Sequence, residues 1–194
     1  MFSKRILGLT IVIAFLITAC GGASGNNQLT QAGNSPNVAD NQLGQKVNSL
    51  QPLNPNRFYF SFNKPTNPRC TSKGNGWFEE TLQFDYRSNV PAQGAEMREY
   101  SQIWGTTKGN INNGDILLTA SYKIEQGRHY GMLTPGSSSS GSTEEIWSNG
   151  FFVNSPYTIA RISELWVDGK PVSRTTITFV CNGTTATASV KNEP

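Results

Sequence analysis

The chain has 194 residues, of which 15% are charged and 36% hydrophobic. Its 16 Lys and Arg against 13 Asp and Glu give a formal charge of +3, too little for a protein held to nucleic acid by many phosphate contacts and too balanced for an acidic disordered tail. One histidine and three cysteines leave no material for a His/Cys metal cage, so neither a metal nor a cofactor is expected.

The chain opens on Met1-Phe2-Ser3-Lys4-Arg5, a short basic start, followed by an apolar run from Ile6 to Ala19. About 14 helical residues span roughly 21 Å, short of the ~30 Å hydrocarbon core, so the run has the length of a secretory signal rather than a membrane span. It ends in Ile17-Thr18-Ala19-Cys20, followed by Gly21-Gly22. This resembles the lipobox of bacterial lipoproteins: an aliphatic residue three before the cysteine, then two small residues, then Cys. The resemblance covers residues 1–20 only. It implies cleavage before Cys20, a lipid on the Cys20 thiol and anchorage in a bilayer facing the periplasm or cell surface. The absence of an aspartate after Cys20 favours the outer membrane where the host has one. Two or three acyl chains hold a protein firmly, whereas one binds only marginally. Without Lys4 and Arg5, the mature chain has 14 basic residues against 13 acidic ones.

Residues 20–56 are dominated by Asn, Gln, Gly, Ser and Pro, carry no aromatic residue, and scatter their aliphatics (Leu29, Val38, Leu43, Val47, Leu50, Leu53). Such a composition buries too little apolar surface to offset the entropy of ordering. It reads as a flexible tether, averaging roughly 30–36 Å end to end. An ordered arm lying on the domain is the alternative, and a short helix near Ala39–Leu50 is compatible with the pattern.

All four tryptophans and all six tyrosines lie between Tyr59 and Trp166, which places the folded domain at residues 57–194. Its periodicity is two. Phe58, Phe60 and Phe62 share a face; so do Phe78, Leu82, Phe84 and Tyr86; so do Ile116, Leu118, Ala120, Tyr122 and Ile124. Thr175 to Cys181 also alternates, and such runs are half-buried strands. Asp168-Gly169, Asn182-Gly183 and Asn149-Gly150 carry the chemistry of type I′ hairpin turns. The spacing predicts an all-β domain, a single antiparallel β-sandwich or Greek-key barrel. Tyr157 to Trp166 is ambiguous, because Ile159, Ile162, Leu165 and Trp166 also suit a helix; strand is favoured. Pro135 to Ser142 reads as an exposed, mobile hairpin tip.

With Cys20 assigned to lipid, Cys70 and Cys181 form an even pair in an oxidising compartment and are expected to be bridged.

Catalytic patterns are sparse. His129 is the only candidate base for a Ser-His-Asp triad, and no Gly-x-Ser-x-Gly elbow accompanies it; it reads as a surface histidine beside a turn. Glu79-Glu80 and Glu144-Glu145 are adjacent acid pairs, but neighbours on a strand point to opposite faces. Glu80 falls on the apolar face with Phe78 and Leu82. If buried it needs an arginine or a raised pKa; a place at a frayed strand edge is the commoner explanation. Trp77 and Trp104 stand out as aromatics that could face a ligand.

The expectation is therefore a lipid-anchored envelope protein that is not an enzyme, its β-domain a non-catalytic binding or structural module with an envelope protein or glycan as partner. The first alternative is a carbohydrate-binding or glycan-modifying surface protein, which requires ordered, solvent-facing aromatics in a row. The second is an inhibitor of a hydrolase, by fold-level analogy with small all-β lysozyme-inhibitor lipoproteins.

Overall fold

The structure, a computed structural model, describes residues 45–47, 49–54, 57–74, 77–107, 113–128, 130–148, 153–183 and 185–194. Cys20 with its lipobox, His129 and the Asn149-Gly150 turn lie outside the described residues. Among the described residues nine strands carry the fold: β1 (Gln45–Val47), β2 (Tyr59–Gly74), β3 (Trp77–Val90), β4 (Ala95–Thr107), β5 (Ile116–Ile124), β6 (Ser137–Ser148), β7 (Val153–Val167), β8 (Lys170–Asn182) and β9 (Thr185–Glu193). Six form one antiparallel sheet in the order β1-β5-β4-β7-β8-β9, and three form a second in the order β2-β3-β6. The domain is an all-β sandwich, as the alternation predicts.

Its core lies where the inward residues of both sheets meet. Phe60, Phe62, Leu82 and Phe84 from the small sheet pack on Met97, Ile103, Ile159, Leu165, Ile177 and Phe179 from the large one. The sheets are stitched together along β2. Phe60 N donates to Ser173 Oγ (2.9 Å), Thr175 Oγ1 donates to Phe60 O (3.1 Å), and Asn192 Nδ2 donates to Phe62 O (2.8 Å). Cys70 of β2 is bridged to Cys181 of β8, 111 positions away, with Cα atoms 5.9 Å apart.

Turn chemistry is followed at one expected hairpin and modified at another. Asp168 and Gly169 both take positive φ (49° and 77°) between β7 and β8, the type I′ requirement. At Asn182-Gly183 only Gly183 is left-handed among the described residues; Asn182 stays in the ladder, paired with Thr185, so the loop starts one residue later than the dipeptide suggests.

Tyr157–Trp166 is strand, the favoured reading, and two other expectations are corrected. Its apolar residues mimic a helical spacing because β7 is buried on both faces: Ile159 and Leu165 face the core between the sheets, while Ala160 and Ile162 belong to a second cluster on the opposite side. Residues 137–142 form the first half of β6, not a hairpin tip; they pair with β3 without a register break, and Ser142 Oγ donates to Asp85 Oδ1 (2.6 Å). The domain also starts earlier than residue 57. β1 pairs with β5, and Val47 and Leu50 pack on Tyr100, Ala160 and Ile162. Arg174 Nη2 donates to Gln51 O (2.7 Å) and Asn54 N donates to Pro171 O (2.7 Å). Residues 45–47 are extended rather than helical, and together with residues 49–54 they form an arm on the outer face of the large sheet. Val47 and Leu50 find an apolar patch supplied by strands more than 40 residues away.

Candidate functional site

The core contains an ion pair with a fully buried carboxylate. Glu80 projects inward from β3 between Phe78 and Leu82 and is 0% exposed. A lone buried carboxylate would be prohibitive, so its oxygens are occupied. The Tyr157 hydroxyl donates to Oε1 (2.7 Å) and Arg161 Nη2 donates to Oε2 (2.6 Å). Arg161 Nη1 donates in turn to Ser101 Oγ (2.8 Å), while its Nε is buried without a hydrogen-bond partner. Burial, then Glu80, holds the Tyr157 phenol far above its ordinary range. Glu80 is thus not at a frayed edge; it is the interior acid that needs an arginine. Glu79, on the other face, pairs with Lys73 (2.9 Å).

Towards β4, β5 and β6 the same interior carries two more carboxyls. Glu99 sits two residues from Ser101 on β4, and Glu145 faces inward from β6 opposite Leu82. Burial raises the Glu99 carboxyl, against the pull of Arg161. Burial, then the charge of Glu99, pushes Glu145 up to about 7. Tyr122 of β5 lies beside both, its phenol raised well above the ordinary value by burial, then Glu99, Glu145 and Tyr130. The Tyr122 and Tyr130 rings stack, centroids 5.9 Å apart and planes within 10°. This margin brings two carboxyls raised by burial close to the Tyr122 phenol.

The opposite face of the large sheet has its own buried acid, Glu164, at 0% exposure. Trp166 Nε1 donates to its Oε2 (2.9 Å) and Arg174 Nε to its Oε1 (2.7 Å). The Arg98 guanidinium lies 3.6 Å from the Trp166 ring centre and is paired with Glu96 (2.6 Å). Burial and Glu164 push the Tyr100 phenol up to about 12. Here every buried charge meets an opposite charge or a ring, and the 45–54 arm lies across the cluster, which marks it as structural.

The expected aromatics do not converge. Trp77 (39% exposed) opens β3 with its neighbour Phe78 turned inward, so it stands on the outer face of the small sheet. Trp104 (37% exposed) stands on the outer face of the large sheet, level with Thr158 and Val180 and beside Gly114, where a Cβ would come within 3.3 Å of its indole nitrogen. The other two tryptophans are interior: Trp147 packs against Phe84 and Phe179, and Trp166 is 6% exposed. Trp77 and Trp104 therefore share no platform.

Glu99, Ser101, Tyr157 and Arg161 are the interior polar residues that pattern reading missed. The available signal was Arg161 itself: parity puts it on the face of Ile159 and Leu165, and a cation on an apolar face implies a buried anion opposite. Among the described residues, no group of three or more His, Cys, Asp or Glu is arranged to hold a metal ion. Compared with known proteins, the chain matches no protein-family model, no curated protein and no solved structure.

Proposed function

We propose that the chain is a bacterial envelope lipoprotein, anchored through an acylated Cys20, whose β-domain serves as a non-catalytic binding module displayed on a tether. The observation that carries this reading is the run Ile17-Thr18-Ala19-Cys20 behind a basic start and a short apolar segment. A disulfide-stapled sandwich behind that run suits an oxidising compartment. The two fully buried carboxylates, Glu80 and Glu164, are committed to static ion pairs, which supports binding over catalysis. The lipid faces the bilayer, and the domain meets an envelope protein or glycan in the periplasm or at the cell surface. Labelled fatty acid should enter the wild-type chain, while Cys20→Ser should remain an unlabelled, uncleaved precursor. Labelling and processing of that variant would refute the anchor.

A second reading, glycan modification, is favoured by Glu145, whose carboxyl is pushed up to about 7 by burial and then by the charge of Glu99, so that an acid able to hold a proton lies near a second carboxyl. Glu99→Gln and Glu145→Gln separate the two. A binding module keeps its phenotype with either variant, and a glycan hydrolase loses product formation with both.

A further inference from the structure

Sheet edges invite pairing with other chains, and proteins blunt them with short strands, Lys, Pro or bulges. Three edges of this sandwich are blunted in those ways. β1 has only three residues. β2 carries Lys64, Pro65, Pro68 and Arg69, and its register against β3 shifts twice between Asn63 and Arg69. β9 carries Lys191, and Asn192 ties it sideways to β2. The fourth edge, β6, has none of these devices. It runs for 12 residues without Lys, Arg or Pro, and its pairing with β3 from Glu79 to Val90 has no register shift. Among the described residues it is the last strand of its sheet, and most of its residues are exposed.

We infer that the free edge of β6 is a docking site for an extended, basic segment of a partner protein, which adds to the small sheet as a fourth strand. Main-chain hydrogen bonds along the edge supply affinity, and alternate side chains supply selection. The selection is legible on β6. Ser137 to Ser142 offer only hydroxyls and a glycine, so small or hydroxylated partners suit that half. Glu144 and Glu145 are the only charges on the strand, one on each face, and Ile146, 54% exposed, follows them. Glu144 is exposed and accepts from Gln83 Nε2 (2.7 Å), leaving its other oxygen to a cation. Nearby charges on β2 and β3 are already committed: Asp85 to Lys64 and Ser142, Glu79 to Lys73. Arg87 lies opposite Ser140, which directs a partner's cations to the Glu144–Glu145 half. The occupant is thus a strand with adjacent Lys or Arg on its two faces and an apolar residue beyond. A second copy of β6 would lay glutamates and serines against this edge and supply no cation. The inference rests on the binding-module reading and names the partner's chemistry.

The test uses the mature, lipidated chain in detergent micelles at pH 8 and low salt. The probe is a fluorescent nine-residue peptide of alternating threonine and valine with two central lysines; its counterpart has two glutamates instead. The lysine peptide should bind at least tenfold more tightly, and hydrogen exchange should slow at the amides of Ser137–Ser148. Glu144→Lys, at an exposed position, should leave the melting temperature unchanged and reverse the preference. Absence of binding by the lysine peptide, equal affinity for both peptides, protection elsewhere than β6, or a β6-paired dimer in sedimentation that excludes the peptide would each overturn the inference. Those outcomes leave Cys20 lipidation and the glutamine variants of Glu99 and Glu145 to judge the wider reading independently.

Discussion

Arg161→Met is the most informative single substitution. Glu80 is fully buried, and Arg161 supplies its only opposite charge among the described residues. Removing one partner of such a pair leaves an uncompensated charge in low dielectric, at a cost of about 3–5 kcal/mol. For a domain of this size each kcal/mol lowers Tm by roughly 2–4 °C, so the variant should melt on the order of 10–15 °C lower. Removing the whole polar set should behave differently. In Glu80→Met/Arg161→Met/Tyr157→Phe no carboxylate is stranded and the Tyr157 hydroxyl, which donates 2.7 Å to Glu80, is gone with its acceptor. That triple variant should recover to within about 2 kcal/mol of wild type, since apolar residues of similar volume commonly replace a buried pair without loss. Urea unfolding followed by tryptophan fluorescence measures both. The reasoning fails if Arg161→Met costs less than about 1 kcal/mol, or if the triple variant is less stable than the single one.

Other consequences concern the interior acids, the arm and the bridge. Glu145 is held at about 7 in the fold against 4.5 for a free glutamate, so between those pH values the folded state keeps a proton that the unfolded chain has lost. Stability should therefore fall as pH rises through 4.5–7 and level off above, by at most about 3 kcal/mol, and Glu145→Gln should flatten that slope in denaturation curves taken at several pH values. Deleting residues 25–42 should leave the melting temperature unchanged, whereas extending the deletion through residue 54 should cost about 2–3 kcal/mol, because Val47 and Leu50 cover the outer cluster and Gln51 receives Arg174. Alkylation of the unreduced, denatured domain should find no free thiol at Cys70 or Cys181, and reduction should destabilise it by roughly 4–5 kcal/mol on chain-entropy grounds.

Strands with one wet face were legible. β3 and β8 alternate because inward residues must be apolar and outward ones need not be, and that asymmetry is written in Trp77–Val90 and Lys170–Asn182. β7 was harder, since a central strand covered on both faces has little reason to alternate. β6 was hidden for the opposite reason: an edge strand with a serine-rich half shows no apolar period, and its pairing is dictated by β3. The 45–54 arm depends on a patch built from β4, β5 and β7, which no local window contains. The interior acids were half legible. Parity put Glu80 on the apolar face, but a frayed edge was the commoner explanation there, and matching it to Arg161, 81 positions along, required the topology.

The Cys70–Cys181 bridge closes the chain between them into a covalent ring that contains β3 to β7. A protease that cuts once anywhere from residue 71 to 180 produces two polypeptides that remain one molecule. Neither the edge strand β6 nor the C-terminal strand can be released by such a cut while the bridge is oxidised. The segment before Cys70 lies outside the ring, so a single cut in that segment frees everything beyond it from whatever holds the N-terminus. Two kinds of proteolytic damage are thereby separated: internal nicks are retained in place, and shedding requires cleavage on the N-terminal side of the bridge.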